Sequence, residues 1–461
     1  MTASVDVAVL GAGPAGLMAA LRLARDGRSV ALVERAPAVG GMAGSFEVAG
    51  VRVDFGSHRL HTVVQPWLRE QLTELLGDDL QERPRRGRVS IGGRWVKFPL
   101  RLGDLATTLP PTFIGRVGFD MAIAPLRRMP ERTAGDAIAK RLGPTVARTF
   151  YTPYLVKLWG LPPDELDVEL ADRRVSARSG LSIVKKALRR GDNSGSRYLY
   201  PLRGYGQISE AIADAATTAG ADLRLSADVR RVDVGVDGVS LTFGDGSELG
   251  AGALLSSVPA SVLSQLAGAP DEVRAAAGRL RHRAMVLAYL VFDVDQLTPF
   301  DAHYFPGLET PVSRMSEPKN FRTSAADPSG VTVLCAELPC WQDDDTWNAS
   351  AEELAERVMG TLAPLGFEFP ALAGADVRRI PHCYPVYTGT YREDQAVIEG
   401  WVDRHDRLLT FGRQALFATD NTHHVLEMGW DAAATVAPDG TIDRRRWAPA
   451  RERYRGNVVE D

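Results

Sequence analysis

Hydrophobic and polar positions along the chain fall into alternating blocks. Residues 5–10, VDVAVL, are apolar apart from Asp6, the pattern of a strand buried on both faces. Gly11-Ala12-Gly13-Pro14-Ala15-Gly16 follows, and LMAALRLARDG then has helical spacing that stops at Gly27. A second apolar run, SVALVE, ends on Glu34. These pieces predict a strand–turn–helix–strand unit of the kind that opens a doubly wound sheet. From about 100 to 195 the pattern becomes mostly helical, with Pro-Pro at 110–111 and 162–163 as punctuation. Strand-like sequence returns in ADLRLSADVRRVDV and VSLTFGDGSELGAGALLSSVP, where Gly244-Asp245-Gly246 reads as a turn, and again at 284–294 and 330–336. Residues 350–364 read as an acidic amphipathic helix and HHVLEMGWDAAATV as a last helix. The polar, Arg-rich residues from Asp439 read as a surface tail.

The glycine loop carries the first chemical signal. Gly11, Gly13 and Gly16 match G-x-G-x-x-G between a strand and a helix. The first glycine permits the tight turn, the second lets backbone approach a pyrophosphate, and the third lets helix and strand pack closely. Free N–H groups and the positive dipole end of the helix, entered through Pro14 and Ala15, favour an anion there. Glu34 lies at the end of the second strand, where a carboxylate accepts hydrogen bonds from ribose hydroxyls. This context predicts a dinucleotide site. A second glycine-rich loop, Gly40-Gly41-Met42-Ala43-Gly44-Ser45, follows Glu34 closely.

Composition narrows the class without naming a reaction. The 461 residues are 45% hydrophobic and 24% charged, enough for a large core and ordinary for an enzyme. Lys and Arg number 54 against 58 Asp and Glu, a balance that gives no support to a nucleic-acid binder. Three cysteines without a CxxC pair point to a reducing cytoplasm rather than a disulfide scaffold. Neither a signal peptide nor a run of 18 apolar residues is evident, and no clustered Cys/His spacing suggests a metal. Arg83, Arg85, Arg86, Arg88, Arg94, Lys97 and Arg101 form a basic stretch. It reads as a solvated face, with attraction of an anionic substrate or peripheral membrane contact as its alternatives.

At ERAPAVGGMAGSF the chain resembles the glutathione-reductase-like flavoproteins of the amine oxidase and protoporphyrinogen oxidase group. Val53-Asp54-Phe55-Gly56-Ser57-His58-Arg59-Leu60-His61-Thr62 resembles the segment that passes the flavin in UDP-galactopyranose mutases and their bacterial oxidoreductase-like relatives. RVSIGGRWVKFPLR, the Lys157-Leu158-Trp159-Gly160 element with Arg173, YPLRGYGQI, the segment at Arg314, Cys383-Tyr384-Pro385-Val386-Tyr387 and Gly412-Arg413 continue the likeness in order. The resemblance implies a non-covalently bound FAD. Its cofactor residues would be Gly11, Gly13, Pro14, Ala15, Gly16, Glu34, Arg35, Gly40, Gly41, Met42, Ala43, Gly56, Ser57, His58, Arg59, Val229, Gly412, Arg413, Asn421, Thr422 and His423. Met42 stands where many members carry Arg, and Asn421 and His423 replace an acidic pair of the mutases, whose diphosphate-clamping tyrosines are missing after Gly412-Arg413.

The same resemblance implies catalytic roles for His58 and Arg314 and a substrate pocket of Trp159, Arg173, Tyr384, Tyr387, Tyr391 and Arg413. The bland readings are a structural histidine, core aromatics, N-caps at 421–423, and an Arg314 paired with Glu317. The expected fold is α/β, a Rossmann-like FAD-binding domain from residues 1–85, 199–268 and 395–445. A discontinuous substrate domain would join a helical part, 86–198, to an antiparallel sheet, 269–394, with a polar tail at 446–461. The expected activity is hydride transfer to flavin from a small organic substrate, sugar-like or anionic. The alternative is a redox-neutral pyranose–furanose mutase with a flavin nucleophile. No oligomeric state follows from the sequence.

Overall fold

The computed structural model describes residues 3–100, 102–127, 129–174 and 197–459. The helical reading of 175–195 and the basic residue Arg101 lie outside the described residues.

Two seven-stranded sheets organise the described chain. The first runs Asp222–Arg224, Val30–Val33, Ala3–Leu10, Glu248–Ser256, Val239–Phe243, Val229–Val234, with Leu408–Thr410 also pairing to Glu248–Ser256. Its centre is parallel, and Val7, Ala8 and Val9 are wholly buried on both faces. That double burial is why this strand reads as a continuous apolar run instead of an alternating one. Helix Pro14–Arg25 starts directly from the glycine turn, with proline in its first turn where the missing N–H has no intrahelical partner to lose. It lies against Thr422–Ala433 so closely that a Cβ on Gly429 would stand 2.1 Å from the Ala15 carbonyl oxygen.

The second sheet orders Leu372–Pro385, His282–Phe292, Thr332–Cys340, Arg314–Ser316, Ala302–Tyr304, Gly87–Ile91 and Arg94–Phe98. Its pairings are antiparallel except between Ala302–Tyr304 and Gly87–Ile91. Along the chain the strands pass between the two sheets four times: after Val33, after Phe98, after Ser256 and after Pro385.

The stretch 86–198 holds helices together with a hairpin, Gly87–Ile91 and Arg94–Phe98, which joins the second sheet. Its turn residues Gly92 and Gly93 have φ of 57° and 74°, left-handed values that suit glycine. One expectation needs correcting: the last residues are not a surface tail. Asp443 caps a helix, Arg444–Arg455, by accepting from the N–H groups of Arg445 and Arg446. Trp447, Ala450 and Tyr454 are buried on one face of it. An i, i+3, i+7 apolar stripe was present among the arginines, and charge density hid it.

Candidate functional site

A cavity of about 520 Å³ opens along the ends of the first sheet and runs beneath the second. At one end the glycine turn is its floor. Gly11 has φ of 101°, and a Cβ on Gly16 would lie 1.9 Å from the Gly11 carbonyl oxygen, so only glycine allows the helix this close. A Cβ on Gly13 would meet no protein atom within 4 Å. Gly13 borders the cavity, so its bare backbone is a cradle that a side chain would fill. Glu34 accepts from the N–H groups of Ala12 at 2.8 Å and Ala36 at 2.9 Å. Two further acceptor sites on that carboxylate remain for ribose hydroxyls.

Pro14, Ala15, Arg35, Gly41, Met42, Ala43 and Val229 line the same end. Gly40 supports it from behind with φ of 104°, its N–H donating to Ala12 O at 2.8 Å. Gly412, at φ of 84°, packs against Ala15. A glycine-floored cradle, a helix N-terminus and a strand-end carboxylate together fit a dinucleotide.

The other end is built by the second sheet and the segment 54–61. Asp54, buried, accepts from Ser45 Oγ at 2.6 Å and from Tyr205 N–H at 2.9 Å, and also from the Tyr200 hydroxyl. That anchors the loop carrying Gly56, Ser57, His58 and Arg59, all four in the cavity wall. His58 Nε2 lies 2.9 Å from Phe55 O. A carbonyl only accepts, so Nε2 carries the proton and Nδ1 is left as an acceptor. Burial holds the His58 imidazole below its ordinary pKa, in the neutral form. Its ring stacks on Tyr205, centroids 5.1 Å apart.

Arg59 pairs with Asp301 at 2.9 Å and donates to the Tyr304 hydroxyl at 3.0 Å. Arg314 stands at a strand start facing the cavity, where Nε and Nη2 grip the two oxygens of Glu337 at 2.8 and 2.9 Å. Its partner is therefore Glu337, not Glu317. Glu317 is buried elsewhere, accepting from the N–H groups of Leu297 and Thr298. Glu337 also accepts from Ser57 N–H at 2.8 Å, tying sheet and loop together. Arg413 donates to Cys383 O at 2.8 Å and lies over the Tyr384 ring. Asn421 is the N-cap of helix Thr422–Ala433, and Asn421, Thr422 and Val425 present its first turn to the cavity.

Seven expected residues do not line the cavity: Gly16 and Gly40 shape the turns behind its floor, and five side chains pack elsewhere. Trp159 is wholly buried, donating Nε1–H to Pro385 O at 3.1 Å. Tyr387 is also wholly buried, its hydroxyl accepting from Thr419 N–H. Tyr391 bonds to Glu169, which also pairs with Arg173 at 2.6 Å. His423 turns into the core beside His424, and burial pushes its pKa down to about 3. These groups brace the wall from behind, because core packing satisfies aromatic rings as well as a ligand does.

Conversely, Tyr304, Arg174, His382 and Glu337 line the cavity and were not singled out for it, while Arg85, read as part of a solvated basic face with an anionic substrate as the alternative, lines it too. Glu337 had a readable signal: one acid inside the apolar run VTVLCAELPC, buried with only 4% of its side chain exposed. A charge there requires a partner. Among the described residues no helix is long and apolar enough to cross a membrane.

The family described as flavin containing amine oxidoreductase matches residues 14–437. A protein of Mycobacterium tuberculosis, provisionally named flavin-containing monoamine oxidase AofH, is 29% identical over 270 residues, 56% of this chain. The match spans 57% of that relative's length. Among solved structures, a reduced UDP-galactopyranose mutase superposes with a TM-score of 0.81 at 21% identity, covering 99% of this chain and 98% of its own. A putrescine oxidase bound to putrescine gives a TM-score of 0.63 at 16% identity, covering 94% and 99%. At these identities the two structures share the fold.

Proposed function

The chain belongs to the flavin-containing amine oxidoreductase family, whose cofactor is FAD, and from that premise we propose that it withdraws hydride from a small organic anion. FAD, when bound, supplies the hydride acceptor at its N5. Residues 1–85, 199–268 and 395–445 are read as the FAD-binding unit and the remainder as the substrate unit. Gly11, Gly13 and Gly16 with the Pro14 helix would hold the pyrophosphate, Glu34 the ribose, and Val229 the adenine end. The first turn of Thr422–Ala433 would oppose negative charge that develops on the ring.

One observation carries the choice of an anion. Arg59, Arg85, Arg174 and Arg314 border the substrate end. Its carboxylate Glu337 is engaged by Arg314. Arg85 has no carboxylate partner among the described residues, and donates to the Tyr304 hydroxyl at 3.4 Å while lying over the Phe98 ring. A guanidinium so placed offers paired donors to a carboxylate or phosphate. His58, neutral with Nδ1 unprotonated, is the candidate proton acceptor when hydride leaves.

Anaerobic mixing of the holoprotein with panels of small carboxylates, phosphate esters and amines tests this reading. Loss of the oxidised flavin's visible absorbance with anions, and not with amines, is expected. Bleaching by amines alone would overturn the anion assignment. Product formation only after dithionite reduction, without net bleaching, would replace the oxidoreductase with a redox-neutral isomerase.

A further inference from the structure

The residues just after helix Arg444–Arg455 do not leave the molecule. Asn457 Nδ2 donates to Asp420 Oδ1 at 2.8 Å, and the Val459 N–H donates to the carbonyl of Arg173 at 2.9 Å. These partners belong to different parts of the fold. Asp420 immediately precedes Asn421, the cap of helix Thr422–Ala433 beside the glycine turn, whereas Arg173 lies in the last turn of helix Val168–Arg174 on the substrate side. Val459 lies in the wall of the flavin cavity, which Asp420 also borders. Asp420 is a carboxylate whose side chain is fully buried, and its Oδ2 has no hydrogen-bond partner.

We propose that Asn457–Val459 is a strap that bridges the two parts of the fold across the cavity and makes Val459 a specificity-determining wall residue. The strap is pinned at each end by one hydrogen bond, and the Asn457 bond is made to a charged acceptor away from bulk water. Such bonds are among the stronger ones in a protein. At the second pin, the Val459 side chain stands in the cavity wall, in space that a larger ligand would need. The bulk of the residue at 459 then sets how closely solutes approach the flavin along this part of the wall. The proposal rests on FAD binding in this cavity and does not depend on which substrate is oxidised, so it survives failure of the anion reading.

The test uses the FAD-loaded protein and iodide as the probe. Asn457→Ala should raise the iodide quenching constant of the bound flavin's fluorescence severalfold over wild type. It should also speed exchange of the Val459 amide hydrogen by about tenfold, the equilibrium equivalent of roughly 1.4 kcal/mol. Val459→Gly should raise quenching while leaving protection of the Arg173-bonded amide nearly intact, and Val459→Trp should lower it. FAD content, read from absorbance after denaturation, separates these effects from simple loss of cofactor. Should Asn457→Ala lose FAD, the two Val459 variants alone decide. Equal quenching in Val459→Gly, Val459→Trp and wild type, or an unprotected Val459 amide in wild type, would overturn the strap.

Discussion

Gly13→Ala separates binding of the cofactor from stability of the fold. Gly13 has φ of −72° and ψ of 174°, open to any residue, so alanine brings no backbone strain. Its Cβ would contact no protein atom within 4 Å. The cofactor-free variant should match wild type within about 1 kcal/mol, the small loss reflecting that alanine is the poorer N-cap. The methyl group would stand where the pyrophosphate must meet backbone, so FAD affinity should fall by on the order of a hundredfold, about 2.7 kcal/mol.

Linkage makes this measurable. With FAD at about 1,000 times its wild-type Kd, binding adds roughly 4.1 kcal/mol to wild type but only about 1.4 kcal/mol to the variant. Urea denaturation with and without FAD, alongside a fluorescence titration, gives both numbers. Gly16→Ala is the control, since its Cβ would sit 1.9 Å from a carbonyl oxygen. It should destabilise even the cofactor-free protein, on the order of 3 kcal/mol. A Gly13→Ala protein that binds FAD as wild type does would refute the placement of the pyrophosphate on this turn.

Cofactor released by acid should be FAD and should leave no flavin on the chain, as chromatography of supernatant and pellet would report. Arg314→Ala strands a buried Glu337 carboxylate and should cost about 3 kcal/mol in urea denaturation, whereas Arg314→Met with Glu337→Gln should recover most of that loss. Turnover per bound flavin should stay low in both, and in Arg314→Lys, if the guanidinium fork holds the substrate; normal turnover in the double variant would remove Arg314 from catalysis. Burial pushes the pKa of His303 and His423 down to about 3, so both stay neutral in the fold while the unfolded chain takes up protons below about 6.5. Stability should therefore fall as pH drops from about 6.5 toward 3, by up to about 2 kcal/mol per histidine at pH 5. His303→Phe should flatten that slope, and an unchanged slope would show that His303 takes a proton in the folded state.

Local chemistry made the cofactor end legible. Gly11, Gly13, Gly16 and Glu34 lie within one strand–turn–helix–strand unit, so their spacing along the chain is nearly their spacing in space. The substrate end is assembled over distance. Ser57 meets Glu337 across 280 positions, and no local period encodes that contact. Resemblance placed Arg314 at the cavity but could not say which carboxylate holds it. It also put Trp159 and Tyr387 in the pocket, because a ring that packs behind a wall and a ring that faces a ligand look alike in sequence. Trp447 and Tyr454 show the opposite failure, where a real apolar stripe was masked by surrounding arginines.

The four passages of the chain between the two sheets bear on motion. Two bodies joined by one connection can swing about it, but each added connection removes a direction in which they can part. Four tethers, leaving from Val30–Val33, Arg94–Phe98, Glu248–Ser256 and Leu372–Pro385, restrict the directions in which the sheets can part. Selection among ligands then rests more on the side chains of the cleft's wall and mouth than on a swing of the two sheets. It follows that neither half should survive as a separately expressed fragment, since cutting any one passage leaves the sheets interleaved and the remainder of each incomplete.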